Sequence, residues 1–248
     1  MYLINSNTLP KLTDKPFKNM ALICLTATSL MLSGCGSDSD DAPTVQIIDP
    51  VVVSYDISVI NLTNSQPMSP ITVVLHNEGS LWNVGEMASP ALEVLAESGD
   101  SSNLLALDVV LASGVGAGVL MPGMSETIMV ESVLIVPTHL SLATMLVNTN
   151  DAFTGINAMS LTNLAVGESI SLVTSSYDAG TEKNSELMST IPGPAAGGEG
   201  FNASRDDVDF VAMHAGVVTV DDGLSQSVLT SQHKFDNPTL RITVTRTE

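Results

Sequence analysis

Three acidic residues, Asp151, Asp178 and Glu182, stand where their types and spacing could do chemistry. Asp151 closes the polar stretch Asn148-Thr149-Asn150-Asp151, and the other two belong to Tyr177-Asp178-Ala179-Gly180-Thr181-Glu182. A strand over 140–147 delivers Asp151 at its upper end. The next, over 156–161, runs down, and a third, over 169–175, runs up again to deliver Asp178. Two reversals thus put both acids at one end of a sheet, and Glu182 reaches them if the loop folds back over Gly180. No Lys or Arg occurs between Lys18 and Lys183 to neutralise them. Like charges about 4 Å apart cost on the order of 4 kcal/mol at an effective dielectric near 20. A hard divalent cation removes that cost, and calcium suits an irregular cage of loop oxygens better than magnesium does. Spacing alone leaves a second reading equally open, in which each acid points separately into solvent.

Other chemistry finds little support. Gly-x-Ser-x-Gly and His-Glu-x-x-His do not occur, and the two cysteines, Cys24 and Cys35, form no zinc-binding pair. The four histidines, His76, His139, His214 and His233, have no partner at ligand spacing and read as surface or packing residues. Gly114-Val115-Gly116-Ala117-Gly118 lacks the phosphate-loop pattern and reads as a linker. Asp221-Asp222-Gly223 opens like an EF-hand loop but lacks its spacing and terminal Glu. The sequence points to a binding protein, not an enzyme. A hydrolase using the same acids, perhaps with His214, is the alternative.

The elements that must position the acids read mostly as strands. Tyr55, Ile57 and Val59 alternate with Asp56 and Ser58, and Leu240, Ile242 and Val244 alternate with Arg241, Thr243 and Thr245. Further short strands are expected over 71–75, 127–133, 140–147, 156–161 and 169–175. Ser89 and Pro90 fit an N-cap and first turn, with Leu92, Leu95 and Ala96 on one helical face and Gly99 as a stop. A second helical stretch is expected over 102–111, ending in the turn Gly114–Gly118, and residues 184–207 read as a long loop. Many short strands with one helical insert, about residues 89–112, give a mainly β, antiparallel sandwich.

The N-terminus reads as an export signal. Lys11, Lys15 and Lys18 precede an apolar run over 21–32, then Ser33, Gly34 and Cys35. That run is shorter than the roughly 20 residues of a membrane-crossing helix. Leu32-Ser33-Gly34-Cys35 resembles the lipobox of bacterial lipoproteins. The resemblance implies a diacylglyceryl group on Cys35 and cleavage just before it. Residues 1–34 are then a signal peptide, 35–50 a flexible Ser/Asp/Pro-rich tether, and 51–248 the folded domain. Gly36, where an Asp often signals retention in the inner membrane, points to the outer membrane. With Cys35 acylated, no thiol is left for a disulfide. A net charge of −19 repels nucleic acid and anionic lipid, and neither is expected as a partner.

Several stretches resemble the spondin N-terminal domain family. They include Ser69-Pro70, His76, Ser80-Leu81-Trp82, Gly85, Ala88-Ser89, Leu92, Ala96-Glu97 and Gly99. Asn150-Asp151-Ala152-Phe153-Thr154-Gly155, the Tyr177–Glu182 stretch and Asn237-Pro238 follow in the family's order. The resemblance covers about residues 54–246. It implies a C2-like β-sandwich that binds Ca2+ through Asp151, Asp178 and Glu182, with Glu131 as a fourth ligand. Glu182 stands where the family has Asp, and Ala152 where animal members carry a bulky aromatic. The resemblance points to a surface-anchored adhesion or binding module whose partner is an extracellular protein or glycan. A purely structural calcium, with binding elsewhere, is a further alternative.

Overall fold

Alternation of apolar and polar residues becomes a two-layer β-sandwich in the computed structural model, which describes residues 50–248. The export signal, Cys35 and the tether up to residue 49 lie outside the described residues. The strands, in chain order, are β1 (Val52–Asn61), β2 (Thr72–His76), β3 (Ala112–Val115), β4 (Ser125–Val133) and β5 (His139–Met145). They continue with β6 (Ala152–Ser160), β7 (Ser169–Val173), β8 (Ser176–Asp178), β9 (Ala212–Met213) and β10 (Leu240–Arg246). One sheet has the order β4-β1-β10-β7 and the other β3-β2-β5-β6-β8-β9, and every pairing is antiparallel. Among the described residues no helix is long and apolar enough to cross a membrane.

The inner face of the four-stranded sheet carries the residues read as alternating: Tyr55, Ile57 and Val59 from β1, Ile128 and Val130 from β4, and Leu240, Ile242 and Val244 from β10. They pack on Ile71, Val73, Leu75, Leu140 and Leu142 of the opposite layer. The six-stranded sheet is covered on its other face as well. There Val74, Ala143 and Phe153 meet Leu92, Leu95 and Ala96 of α1 (Pro90–Ser98), and Leu104 of α2 (Ser102–Leu105). Burial on both faces explains why β2 is buried at every position and β5 at all but its first, instead of at alternate ones.

Helix α1 begins and ends where its sequence says it should. Ser89 Oγ accepts the Leu92 N–H at 3.2 Å, Pro90 occupies the first turn, and Gly99 closes the helix in the left-handed conformation with φ 72°. The second helical stretch is shorter than expected. It stops at Leu105, and residues 112–115 form β3 on the edge of the sheet instead of running into a linker turn. Gly114 makes this possible, because a Cβ there would lie 2.7 Å from Ile128 Cγ2 of the facing sheet.

The expected strand over 169–175 also divides. Its first part, β7, pairs with β10, and after Thr174 and Ser175 the chain crosses to the other sheet as β8 against β6. A buried hydroxyl cluster marks the crossing: Thr154 Oγ1 lies 2.7 Å from both Thr174 Oγ1 and Thr239 Oγ1. The crossing carries Asp178 into register with Ala152, next to Asp151.

Candidate functional site

The loop after β5 and the loop after β8 meet at one end of the sandwich, as strand direction required. Asp151 is fully buried, and Asp178 and Glu182 nearly so. Asp151 Oδ2 accepts the backbone N–H groups of Thr181 and Glu182 at 2.8 and 3.1 Å, with the Thr181 hydroxyl at 3.3 Å. The second loop therefore folds back over Gly180, whose φ of 71° makes the turn. A Cβ at Gly180 would fall 2.3 Å from Phe210 O, so residues around 206–211 close tightly over the turn. They are held by Asp209 N–H to Gly180 O at 2.7 Å and Asp206 N–H to Thr181 O at 3.1 Å.

An aromatic group supports the two loops from beneath. Phe153 lies two residues after Asp151, Tyr177 directly precedes Asp178, and both pack on Trp82 with ring centroids 5.1 and 5.4 Å away. The Trp82 segment is fixed to β6 by Asn157, which accepts from Leu81 N at 2.8 Å and donates to Trp82 O at 2.6 Å. Three stretches far apart in the chain thus converge under the acids.

The electrostatics of these acids are unfavourable. Burial first, and then the charge of Asp178, hold the Asp151 carboxyl well above the usual carboxylate range, against three hydrogen bonds that lower it. Burial pushes Glu182 up to about 8, with Glu97, Asp151 and Glu199 adding to the rise. Glu97 of α1 is itself raised, chiefly by burial, and accepts the Asn202 N–H at 2.8 Å. Three oxygens here, Asp151 Oδ1, Glu182 Oε2 and Glu97 Oε1, are buried without a hydrogen-bond partner. Asp178 is better satisfied, by Gly180 N–H at 2.7 Å and Asn184 Nδ2 at 2.6 Å. Among the described residues, no group of three or more His, Cys, Asp or Glu side chains could hold a metal ion as they stand.

No protein-family model and no curated protein matches this chain. Its site must therefore be read from its own residues.

Glu131 does not join the other acids. It is exposed on β4 opposite Ser54, while the end of β1 near the acids is at Asn61. Seven strand residues separate those points, roughly 23 Å at the rise of a β-strand. The resemblance brought Glu131 to the site, but the register of β4 on β1 carries it toward the opposite end of the sandwich.

Glu97 is the acid that sequence reasoning left out of the site. Its signal was an acid beside the apolar stripe Leu92, Leu95 and Ala96, with no basic residue in the last turn. His214, named from the sequence only for the hydrolase alternative, lies near Asp178. It is buried against Phe235, its Nδ1 accepts the Gly216 N–H at 2.9 Å, and its Nε2 has no partner. Burial lowers its pKa, while the nearby Asp178 raises it. His76 is a packing residue, its ring nitrogens 2.8 and 2.9 Å from Glu78 O and Ser141 Oγ. Asp221 and Asp222 serve local structure: they accept from Ser231 N–H at 2.7 Å and from Lys234 Nζ at 2.5 Å.

Proposed function

We propose that this chain is a lipid-anchored surface protein whose acid-lined loops bind calcium and present a binding surface to an extracellular protein or glycan. The observation that carries the reading is the pair of orphaned carboxylate oxygens, Asp151 Oδ1 and Glu182 Oε2, buried beside Asp178 and Glu97. None of these four acids takes part in the ion pairs of the described residues, which join Arg205 to Glu93 and Asp209 and Lys234 to Asp222. Buried charge without a partner is costly, and a hard cation is the chemical partner that carboxylate oxygens accept.

The donor chemistry fits calcium. Calcium takes six to eight oxygens and mixes carboxylates with amide, hydroxyl and backbone oxygens, so it does not require three clustered acids. As they stand Asp151, Asp178 and Glu182 form no three-acid cage, so the two loops would have to draw these side chains together around the ion, with neutral oxygens of the same loops completing the shell. A bound ion would supply positive charge that stiffens both loops and could ligate an acidic group of the partner. The likeness of these loops to the spondin N-terminal domain supports the same reading, as does the lipobox-like Leu32–Cys35 for the anchor. Adhesion at a bacterial outer membrane follows from those two resemblances together.

Titrating calcium into the purified chain, with heat and melting temperature as readouts, tests the ion. Saturation at 100 times the dissociation constant is expected to stabilise the fold by about 2.7 kcal/mol. Asp151→Asn and Asp178→Asn are expected to reduce the shift to near zero while leaving the far-ultraviolet spectrum intact. A wild-type chain that neither releases heat nor gains stability in millimolar calcium would sink the calcium reading.

A further inference from the structure

At the end of the sandwich opposite the acids, the last residue of β4 and the loop after it expose Val133, Leu134, Ile135 and Val136 in an unbroken row. Leu134 is 74% exposed and has φ 75°, a left-handed conformation in which a leucine is strained. The loop is held in that shape. Ser132 Oγ donates to Ile135 O at 2.7 Å, and Leu134 N–H donates to Val51 O at 2.8 Å. Val51 is exposed too, and so is Val166 in the β6–β7 turn at the same end. Four consecutive large apolar side chains directed at water are unusual for a folded surface and mark a contact site.

The chain itself says what lies nearby. Val51 is where the described fold begins, and the loop is bonded to that residue. Cys35 lies sixteen residues before Val51, a reach of at most about 58 Å even when fully extended. The apolar loop is thus at the point of the fold with the shortest chain path to the lipid.

We infer that residues 133–136, with Val51, dip into the bilayer that anchors Cys35 and set the domain upright with its acid loops facing outward. The inference rests on the lipoprotein reading of Cys35. The strongly acidic chain disfavours anionic headgroups, so the surface that fits is zwitterionic.

The test uses the mature, acylated protein in phosphatidylcholine vesicles. With Cys24 removed alongside the signal and Cys35 acylated, a single new cysteine can carry a nitroxide label. Leu134→Cys is expected to place its label at the headgroup–acyl boundary, with oxygen collisions favoured several-fold over a water-soluble nickel chelate. Met188→Cys, an exposed residue in the loops following Glu182, is expected to remain fully accessible to the chelate. Equal chelate access at both positions would overturn the inference. So would protection of position 134 accompanied by spin–spin broadening that grows with protein density, the mark of a second copy covering the loop. Mass analysis of the Cys35 peptide separates the two readings. Acylation without insertion defeats only the docking loop, whereas an unmodified Cys35 defeats the anchor on which it rests.

Discussion

Gly155→Ala is expected to destabilise the protein by on the order of 3 kcal/mol or more, the largest effect of any single-methyl addition in the fold. Gly155 sits in β6 opposite Ala143 of β5, and a Cβ there would lie 1.8 Å from the carbonyl oxygen of Leu142 and 3.1 Å from the Cα of Ala143. Both are backbone atoms of the adjoining strand, so no side chain can turn aside. The β5–β6 pair has to open, and Asp151 lies in the turn that joins those strands. Denaturant unfolding of the variant should therefore show a lowered midpoint and, if the proposed calcium site is real, weakened calcium binding as well. Gly167→Ala makes the control. Its φ is 85° but a Cβ would meet nothing within 4 Å, so only the backbone penalty of roughly 1–2 kcal/mol is expected. Equal losses for the two variants would show that the close approach at Gly155 is not the cause.

Glu186 is expected to make stability fall as the pH rises. Its side chain is almost wholly buried, Oε1 accepts the Val218 N–H at 3.1 Å, and Oε2 has no partner. Burial pushes its pKa from 4.5 up to about 7, against the hydrogen bond from Val218 that lowers it. In the unfolded chain the carboxyl loses its proton near pH 4.5, whereas the folded chain keeps it until about pH 7. The stabilisation is complete below pH 4.5 and is lost as the pH climbs through 7, an amount of about 3 kcal/mol for this group. Asp151 and Glu182 are raised in the same sense, so the wild-type slope alone does not isolate Glu186. The difference between wild type and Glu186→Gln does. Unfolding at pH 5 and pH 8, with calcium chelated, should show the gap between the two pH values shrinking by most of that amount in the variant. Parallel wild-type and variant pH profiles would rule the effect out.

The sequence made the sandwich legible where side chains alternate and where helix ends carry their own signals. Tyr55, Ile57 and Val59 announced β1, Leu240 to Val244 announced β10, and Ser89, Pro90 and Gly99 bracketed α1. Strand direction was enough to bring Asp151 and Asp178 to one end. Other features depended on partners distant in the chain. Residues 112–115 look like a glycine linker because what makes them a strand is β2 on one side and the space that Gly114 leaves for Ile128. The crossing at Thr174 and Ser175 leaves no mark in the local pattern, since both halves of that segment are extended. Glu131 came from the family resemblance alone, and the register of β4 on β1, which no local pattern shows, sets it toward the other end of the sandwich. Glu97 lay on a helix whose face toward the acids is defined only by the loops at 180–182 and 202 that pack over it.

The placement of the start of β1 and the acid loops at opposite ends has a mechanical consequence. A pull exerted between those loops and Val52 runs lengthwise along β1, which is flanked on one side by β4 and on the other by β10. The ladder bonds lie perpendicular to the strands, so such a pull shears both ladders at once instead of peeling them apart bond by bond. A force applied in this way would load many hydrogen bonds in parallel. Tension applied between the start of β1 and the end of β10, which lie side by side, would instead unzip those two strands bond by bond.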